Sequence, residues 1–499
     1  MTRAVIEGGL VFDGDAAAGA ADILIEDGRI AAVAAPGSFA EAAAERLDAR
    51  RRLIIPGLIN AHTHGHGALA KGLGDRLSLE LFLNAGPAFH GGRTDDDRKL
   101  SAMLNAAEMI RKGCTACFDL ALVPATPEAI LATAEGYAAA GMRAVVAPMI
   151  ADRSLYDAIP GLRAALPAKL GTAADALRPG PAGPVFAAID AAARHWPFSR
   201  GTLALGIGPT IPLHCSDDFL READRLSRAF GLPLQTHLAE SPVQREASRR
   251  RHGMTMTAHL ASLGLLRPGV SAAHGVWLDD AELDLLAARD VAIAHNPAAN
   301  LRLGSGVADI RAALMRGIAV GIGTDGASSS DNQNMFLAMR SAAHVSRITG
   351  REPAEWIGAA EAVAMATEGS ARVLGLEARL GRIAAGFEAD LAWLDLDHVN
   401  LVPLNDVANQ LVHSEDGAAV RDVMVGGRFV MRNGRLLQMD WPAVARAAND
   451  RAEALRAVNR GAHSLAGRLA AFVGPICADL ACRPELPRRL TTRAPIRPS

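Results

Sequence analysis

Apolar runs of strand length alternate along the middle of the chain with stretches in which apolar residues recur at helical spacing. After the first run, Thr94 precedes three aspartates and Lys112 precedes Gly113, which are the signals that begin and end a helix. The apolar runs cover residues 58–64, 114–120, 142–150, 203–210, 232–240, 270–278, 291–297 and 318–326. Eight strands that alternate with helices predict an α/β fold, a closed (β/α)₈ TIM barrel.

Both ends of the chain have the pattern of short strands joined by tight turns. Residues 4–33 turn at Asp27-Gly28, and residues 423–437 turn at Asn433-Gly434. We therefore predict a small β-sandwich domain built from residues 1–55 and 375–437, with residues 56–374 forming the barrel. Residues 438–482 have a helical pattern and are predicted to form a C-terminal helical extension.

Two segments do not fit the alternation of strands and helices. Residues 153–200 are too long for one helix and contain six prolines, so they predict an elaborated loop over the face that carries the functional residues. Residues 483–499 contain five arginines and four prolines, which predicts a tail that is disordered or wraps a neighbouring subunit.

Charge and cysteine content exclude several classes of protein. The chain has 52 basic and 54 acidic residues, a net charge of −2, so we predict no nucleic-acid or anionic-membrane partner. No segment has about 18 uninterrupted apolar residues, so we predict no membrane span. Five cysteines without a regular framework fit a reducing cytoplasm, and Cys114 and Cys117 are predicted to be buried strand residues.

Metal-competent side chains recur at the ends of the predicted strands. His62 and His64 lie two residues apart in a strand, so their side chains point to the same side. In a barrel of this kind, catalytic residues project from the carboxyl ends of the strands. Four further strand ends or the turns after them carry His237 with Glu240, His274, His295 and Asp325. These side chains are therefore predicted to meet at one rim of the barrel.

Five motifs contain these residues: Pro56-Gly-Leu-Ile-Asn-Ala-His-Thr-His64, His237-Leu-Ala-Glu240, Ala273-His-Gly275, His295-Asn-Pro-Ala-Ala-Asn300 and Gly323-Thr-Asp-Gly-Ala-Ser-Ser329. With them, the chain resembles the amidohydrolase superfamily, in its branch of adenosine-analogue, guanine and pterin deaminases and triazine chlorohydrolases. The resemblance extends from residue 4 to residue 437.

The resemblance implies that one divalent metal ion, Zn²⁺ or else Fe²⁺, is bound by His62, His64, His237 and Asp325. Three imidazoles and a carboxylate that leave one position for water are also a ligand set that zinc chemistry requires. Binuclear relatives carry a carbamylated lysine at the end of strand four. Here the sequence at that point is Gly-Pro-Thr-Ile-Pro (208–212), which predicts a single metal.

Catalytic roles follow from the same resemblance. The metal produces a hydroxide that attacks an sp² carbon. Glu240 transfers protons between the water, a substrate ring nitrogen and the departing amine. His274 stabilises the charge on the tetrahedral intermediate, and Asp325 accepts the water proton besides binding metal.

Substrate contacts are predicted for Phe89, Thr210, His295 and Ser329. Nucleoside deaminases of this branch have a sugar-binding glutamate where this chain has Phe89, and a histidine where it has Thr210. Both differences favour a smaller or less polar substrate than a nucleoside. His66 and His90 are additional histidines near the predicted mouth of the barrel.

Three functions remain open at this point. The first is hydrolytic deamination of a cyclic amidine in a purine, pterin, pyrimidine or triazine. The second is hydrolysis of an amide, urea, carbamate or ring C–Cl bond at the same site. The third is a catalytically inactive binding protein that retains the fold. A small-molecule substrate is expected in the first two cases, and the resemblance also implies a homodimer or a higher homo-oligomer.

Overall fold

The computed structural model describes residues 3–14, 18–124, 126–330 and 332–482. Its strands, in chain order, are β1 (Arg3–Val11), β2 (Gly19–Glu26), β3 (Arg29–Ala34), β4 (Glu45–Asp48), β5 (Arg52–Pro56), β6 (Leu58–His64), β7 (Cys114–Ala121), β8 (Arg143–Ile150), β9 (Leu203–Leu205), β10 (Gly208–Pro209), β11 (Leu234–Leu238), β12 (Val270–His274), β13 (Ala292–His295), β14 (Val320–Ile322), β15 (Asp325–Gly326), β16 (Leu391–Asp395), β17 (Val420–Val425), β18 (Arg428–Arg432) and β19 (Arg435–Leu436).

The helices, in chain order, are α1 (Leu79–His90), α2 (Asp95–Arg111), α3 (Pro127–Ala140), α4 (Leu155–Ala158), α5 (Leu162–Ala165), α6 (Ala168–Asp175), α7 (Ala182–Arg194), α8 (Asp217–Phe230), α9 (Pro242–His252), α10 (Met256–Ser262), α11 (Asp280–Ala288), α12 (Pro297–Arg302), α13 (Ile310–Met315), α14 (Met335–Ser346), α15 (Ala359–Ala364), α16 (Ser370–Leu374), α17 (Val407–His413), α18 (Trp441–Val458) and α19 (Arg460–Ala481). Short 3-10 helices cover Gly65–Ala70, Pro212–His214, Pro353–Glu355 and Val399–Leu401, and Met365–Gly369 is a π-helix.

Strands β6 to β15 form the predicted parallel barrel. One sheet has the strand order β10-β8-β7-β6-β15, and a second sheet has the strand order β11-β12-β13-β14. A parallel bridge between Ile207 and Leu234 joins them on one side. On the other side, β14 and β15 are two halves of the eighth strand. The barrel prediction is thus confirmed, and Cys114 and Cys117 are buried within β7.

Several barrel strands are shorter than predicted, and most of the difference lies at their carboxyl ends. The backbone leaves the ladder after Leu238 and after His274, and Ala239 and His274 adopt positive φ values of 50° and 75°. Such values are uncommon for residues other than glycine and occur where surrounding structure imposes them. The apolar pattern continues through these turns because they remain buried, so hydrophobicity alone could not locate the strand ends.

Strands from both chain ends form a separate sheet, in the part of the chain where we predicted a β-sandwich domain. Nine strands are hydrogen-bonded in the order β19-β18-β17-β16-β5-β1-β2-β3, with β4 paired to β1. Its two halves meet where β5 pairs antiparallel with β16, so residues more than 300 positions apart in sequence are adjacent. An apolar cluster that includes Ile23, Ile54 and Trp393 lies at its centre.

A buried ion network joins this sheet to the barrel. Arg143, at the start of β8, donates to Asp390 at 2.8 and 3.0 Å and to Glu388 at 2.9 Å. The side chains of all three residues are less than 10% exposed. Because a buried charge without an oppositely charged partner is very unfavourable, each of these side chains needs its partners to remain both charged and buried.

We expect Arg143→Met to lower the free energy of unfolding by about 3–5 kcal/mol, because it leaves the buried Asp390 carboxylate without its cation. Urea unfolding measures this loss. The matched control is Arg316→Met, which removes exposed pairs with Asp280 and Asp284 and should lower the free energy of unfolding much less. Equal losses for the two variants would contradict the importance of the buried network.

The 153–200 segment differs from the loop that we predicted, since it contains four helices, α4 to α7. Its prolines lie mainly at the helix boundaries: Pro167 and Pro181 are the N-caps of α6 and α7. Proline is tolerated at a helix start because no backbone N–H is needed there. The proline content therefore marks breaks between short helices rather than an irregular loop.

The predicted C-terminal extension is a pair of helices, α18 and α19, packed on the barrel. Among the described residues, α19 is the one helix long and apolar enough to cross a membrane. Its residues Leu469, Val473 and Leu480 are buried, and α19 packs on α1 and α9. Its apolar face therefore has a partner within the protein. The predicted tail, 483–499, lies outside the described residues.

The extension is also held by Asp97, the third residue of α2, which Arg451 of α18 contacts at 2.6 and 2.8 Å. Asp97 further accepts from the N–H of Thr94 in the capping box of α2, the helix start that the sequence predicted. Burial opposes ionisation of this carboxyl, but the hydrogen bonds from Arg451 and Thr94 outweigh it and lower its pKa to about 2.

A folded-state pKa below the ordinary 3.8 means that ionised Asp97 stabilises the fold above pH 4 and that this stabilisation is lost as pH falls towards 2. We expect Asp97→Asn to cost about 1–2 kcal/mol at pH 7, reduced from the full shift because Arg451 is 41% exposed. Thermal unfolding should show the two proteins converging between pH 4 and pH 2. A difference that is constant with pH would contradict this role.

Candidate metal centre

Three histidines and one aspartate from three strands meet at the carboxyl-terminal rim of the barrel. His62 and His64 end β6, His237 lies in β11, and Asp325 begins β15. Nε2 of His64 lies 3.1 Å from Nε2 of His237 and 3.2 Å from Oδ1 of Asp325. Nε2 of His62 lies 3.6 Å from the same carboxylate oxygen. The four residues predicted to bind metal are therefore adjacent.

The protonation of these histidines is fixed by their second ring nitrogens. The Nδ1 atoms lie 2.5–2.8 Å from oxygen atoms that can only accept, so each Nδ1 carries the proton. The pairs are His62 with Gln235 Oε1, His64 with the Leu120 carbonyl and His237 with the Thr210 carbonyl. In the neutral form of each ring, Nε2 therefore retains the lone pair, which is how imidazoles are prepared to bind a metal.

The donor set fits one divalent metal ion. It consists of three imidazoles and a carboxylate, and Nε2 of His62 is buried without a hydrogen-bond partner in the described structure. When His64 carries its proton on Nδ1, its Nε2 and Oδ1 of Asp325 are both acceptors. A cation between these two atoms removes their repulsion. Burial opposes ionisation of Asp325, but its interactions with His62 and His64 outweigh burial and hold its pKa well below the usual value.

The backbone at Asp325 is held in a strained conformation by a buried polar network. Its φ is +61°, and its carbonyl accepts from Nε2 of Gln333 at 2.9 Å. Gln333 in turn accepts from Thr324 at 2.6 Å, and Asn60 donates to Thr324 at 2.7 Å. Positive φ at a non-glycine residue persists only where its surroundings impose it. Sequence analysis missed this network, whose members are separated by up to 273 positions.

Glu240 and His274 lie beside the four ligands. Oε2 of Glu240 is 3.7 Å from Nε2 of His274, and both side chains are at most 3% exposed. Burial, and then the negative charge of Asp325, raises the pKa of Glu240 well above its usual value. A carboxyl whose pKa is raised is suited to general acid–base work. Atoms of Glu240, His274 and Asp325 lie within 4.8 Å of one another.

A cavity of about 420 Å³ opens onto this centre. That volume suits a small organic ligand. Of the predicted substrate contacts, Thr210 and Ser329 line the cavity, as do His66 and His90. The insertion contributes its own wall residues, among them Leu155, Tyr156 and Leu177, which agrees with its predicted position over this face.

Phe89 and His295 are not among the described residues that line the cavity. Phe89 points to another side of α1, where it packs with Leu73, Leu77 and Phe82. Neither nitrogen of His295, whose ring is buried, has a hydrogen-bond partner in the described structure. Burial lowers the pKa of His295 to about 3, so its ring is neutral. The structure thus does not support direct substrate contact for either residue in this cavity.

Two cavity residues were missed by sequence analysis. His214 lies in the 3-10 helix that follows strand four, and burial lowers its pKa to about 4. Tyr156 donates to Asn84 at 2.9 Å, and Asn84 donates to the Ala466 carbonyl of α19. The C-terminal extension thereby supports the cavity wall. The available signal for His214 was its position four residues beyond Thr210, at a strand end.

Comparisons with known proteins agree with this architecture. A family model described as the amidohydrolase family matches residues 53–430. The 5'-deoxyadenosine deaminase of Methanothermobacter thermautotrophicus is 32% identical over 422 residues, which are 83% of this chain and 90% of that protein. An adenosine deaminase of Xanthomonas campestris with bound zinc has a TM-score of 0.81 at 26% identity, covering 91% of this chain and 99% of that one.

A second similar structure belongs to a protein that is named for a different activity. It is a variant of atrazine chlorohydrolase from Arthrobacter aurescens, in complex with zinc and atraton, with a TM-score of 0.80 and 28% identity. The match covers 91% of this chain and all of that one. The same fold therefore occurs in proteins named for removal of an amine and for removal of a ring chloride.

Proposed function

Because the chain belongs to the amidohydrolase family, we propose that it is a metal-dependent hydrolase that deaminates a cyclic amidine of an N-heterocycle. The observation that carries this proposal is the buried Glu240, whose carboxyl lies beside His274 at the rim where His62, His64, His237 and Asp325 converge. The similarity to a deaminase over 83% of the chain supports the choice of reaction.

His62, His64, His237 and Asp325 are the residues that would hold the metal, and zinc is the proposed ion, with iron as the alternative. A divalent metal at such a ligand set supplies hydroxide at neutral pH. The bound zinc in a similar structure supports this assignment. Since the end of strand four provides Thr210 rather than lysine, we propose one metal ion per chain.

Glu240 is proposed as the proton shuttle. Its raised pKa lets the carboxyl give a proton to a ring nitrogen of the substrate, recover a proton that comes from the attacking water, and give that proton to the departing amine. His274 faces Glu240 and is proposed to stabilise the developing oxygen charge with a proton on Nε2, the tautomer whose Nδ1 accepts from Nδ2 of Asn296 at 3.4 Å. Asp325 is proposed to accept the water proton. Thr210 and Ser329 are proposed to contact substrate from the cavity wall.

Hydrolysis of a ring C–Cl bond is the second candidate, because a similar structure belongs to a chlorohydrolase. Hydrolysis of an amide, urea or carbamate bond at the same site also remains open. An inactive binding protein is disfavoured, because every predicted catalytic side chain is present at the rim. Cytoplasmic location and assembly into a homodimer or a higher homo-oligomer remain predictions, and gel filtration with light scattering tests the assembly.

The test of the proposed function is a panel of amino- and chloro-substituted purines, pyrimidines, pterins and triazines, incubated with zinc-loaded protein. Ammonia and chloride are both quantified. Ammonia release supports deamination, and chloride release supports hydrolysis of a ring C–Cl bond. Carbon–nitrogen cleavage of an added urea or carbamate would favour hydrolysis of an amide, urea or carbamate bond. Release of neither ammonia nor chloride from any compound would contradict both leading candidates.

A further inference from the structure

Two histidines that do not bind metal line the same cavity. His66 and His90 lie with their ring centroids 4.7 Å apart and their ring planes nearly perpendicular. The His66 ring is also 5.2 Å from that of His64, so the pair is next to the metal centre. The proposed reaction uses neither residue.

Hydrogen-bond donors fix the protonation of both rings. The backbone N–H of Leu122 donates to Nδ1 of His66 at 3.2 Å, and Nη2 of Arg93 donates to Nδ1 of His90 at 3.3 Å. An amide N–H and a guanidinium can only donate, so both Nδ1 atoms are unprotonated. Each ring therefore carries its proton on Nε2. This arrangement is the opposite of that in the metal ligands, whose Nε2 atoms carry lone pairs.

Arg93 holds the pair in place as a positioning residue. Besides His90, it donates to the backbone carbonyl of His66, and to that of Phe89 at 3.4 Å. Burial, and then the positive charge of Arg93, lowers the pKa of His90 well below its usual value. The His90 ring is therefore a neutral N–H donor. Neither Nε2 atom makes a hydrogen bond within the described part of the chain, so both remain available to a ligand.

The rest of the cavity wall is mainly apolar. Among its described residues, carboxylates occur only at the reacting end, as Glu240 and Asp325. The wall away from that end is formed largely by apolar side chains, including Leu79, Phe82, Leu83, Met149, Leu155 and Leu303. Sugar hydroxyls bound there would lack a carboxylate acceptor, whereas an acceptor atom would meet two N–H donors.

We propose that His66 and His90 form a donor subsite that binds a carbonyl oxygen of the substrate, and that the substrate class is an oxo-substituted amino-heterocycle rather than an adenosine-type nucleoside. The proposal rests on the proposed deaminase function. In that reaction, water adds to the amidine carbon, the C–NH₂ bond breaks, ammonia leaves and a new carbonyl remains on the ring. The two donors select the ring by its other, unreacting carbonyl.

The test compares ligands that differ by one carbonyl. Guanine and 2-aminopurine are one matched pair, isocytosine and 2-aminopyrimidine are a second, and 5'-deoxyadenosine represents nucleosides. Calorimetry on zinc-loaded protein that carries Glu240→Gln, so that turnover does not consume the ligands during the titration, gives each Kd. We expect the oxo member of at least one pair to bind about tenfold more tightly than its partner, the effect of about one net hydrogen bond, and more tightly than 5'-deoxyadenosine.

Matched variants separate hydrogen bonding from packing. His66→Leu and His90→Leu remove the donor and retain an apolar side chain of similar size, whereas His66→Gln and His90→Gln retain an N–H. We expect the leucine variants to weaken binding of the oxo ligand about tenfold and the glutamine variants less than about threefold, with the ligand that lacks the carbonyl unaffected. Metal content is measured for each variant, and the comparison uses fully loaded protein.

Equal binding within both pairs, absence of binding by every oxo ligand, or a preference that survives the double leucine variant would overturn the donor subsite. Ammonia release from 5'-deoxyadenosine that is unchanged in the leucine variants would also overturn it, while supporting deamination. Conversely, an oxo preference that the leucine variants abolish, without any ammonia release, would support the subsite and contradict deamination. The two proposals therefore fail separately.

Discussion

Replacing Glu240 by glutamine is expected to lower kcat/KM for ammonia release by about 10²–10⁴-fold, the usual contribution of a general acid–base group. Glutamine preserves size and hydrogen bonding but cannot transfer a proton. Because Glu240 is not one of the four proposed ligands, the metal content of the variant should equal that of the parent. Steady-state ammonia release with metal analysis by mass spectrometry measures both quantities.

The matched control is Glu246→Gln, six residues further along the chain. Glu246 is also largely buried, and it bonds Arg250 at 2.7 Å on α9 rather than facing the centre. We expect this variant to retain activity within about twofold, because Glu246 pairs with Arg250 and does not line the described cavity. Full turnover by the Glu240 variant with normal metal content would show that another group moves the proton.

The second large effect is expected from His237→Asn. Loss of a hydrogen bond that supports a metal ligand typically weakens metal binding 10–100-fold. Removing one of the three imidazole ligands themselves should weaken it further. Dialysed variant protein should therefore hold little metal and release ammonia at a rate near background. Excess zinc should stabilise the parent protein against thermal unfolding, by about 2.7 kcal/mol at 100 times Kd, and the variant much less.

His252→Asn is the control for the loss of a histidine as such. His252 lies at the end of α9, stacked on His259 with ring centroids 3.8 Å apart, and it does not line the described cavity. This variant should keep the metal content and the zinc-dependent stabilisation of the parent. If it loses metal as the His237 variant does, the losses cannot be assigned to the proposed ligand set.

The sequence was sufficient for the barrel and for the residues that meet at its rim. His62 and His64 share a side because a strand alternates with a period of two. His237 and Asp325 join them because the carboxyl ends of parallel strands lie at one rim. These rules depend only on strand order and periodicity, which apolar runs reveal directly.

The cavity wall could not be predicted in the same way. Whether Phe89 or His90 faces the cavity depends on the rotation of α1 about its axis. In the structure, His90 lines the cavity, and Phe89 is buried in an apolar cluster beside it. His214 reaches the cavity because a short 3-10 helix redirects the chain after Thr210. Neither feature leaves a periodic signal, since both depend on tertiary packing.

The most direct measurement of the central claim is a crystal structure of zinc-loaded protein with anomalous diffraction recorded at the zinc edge. We predict one anomalous peak per chain, within about 2.0–2.2 Å of Nε2 of His62, His64 and His237 and of a carboxylate oxygen of Asp325. A peak elsewhere, a second peak of equal strength at the rim, or no peak between these side chains would contradict the account.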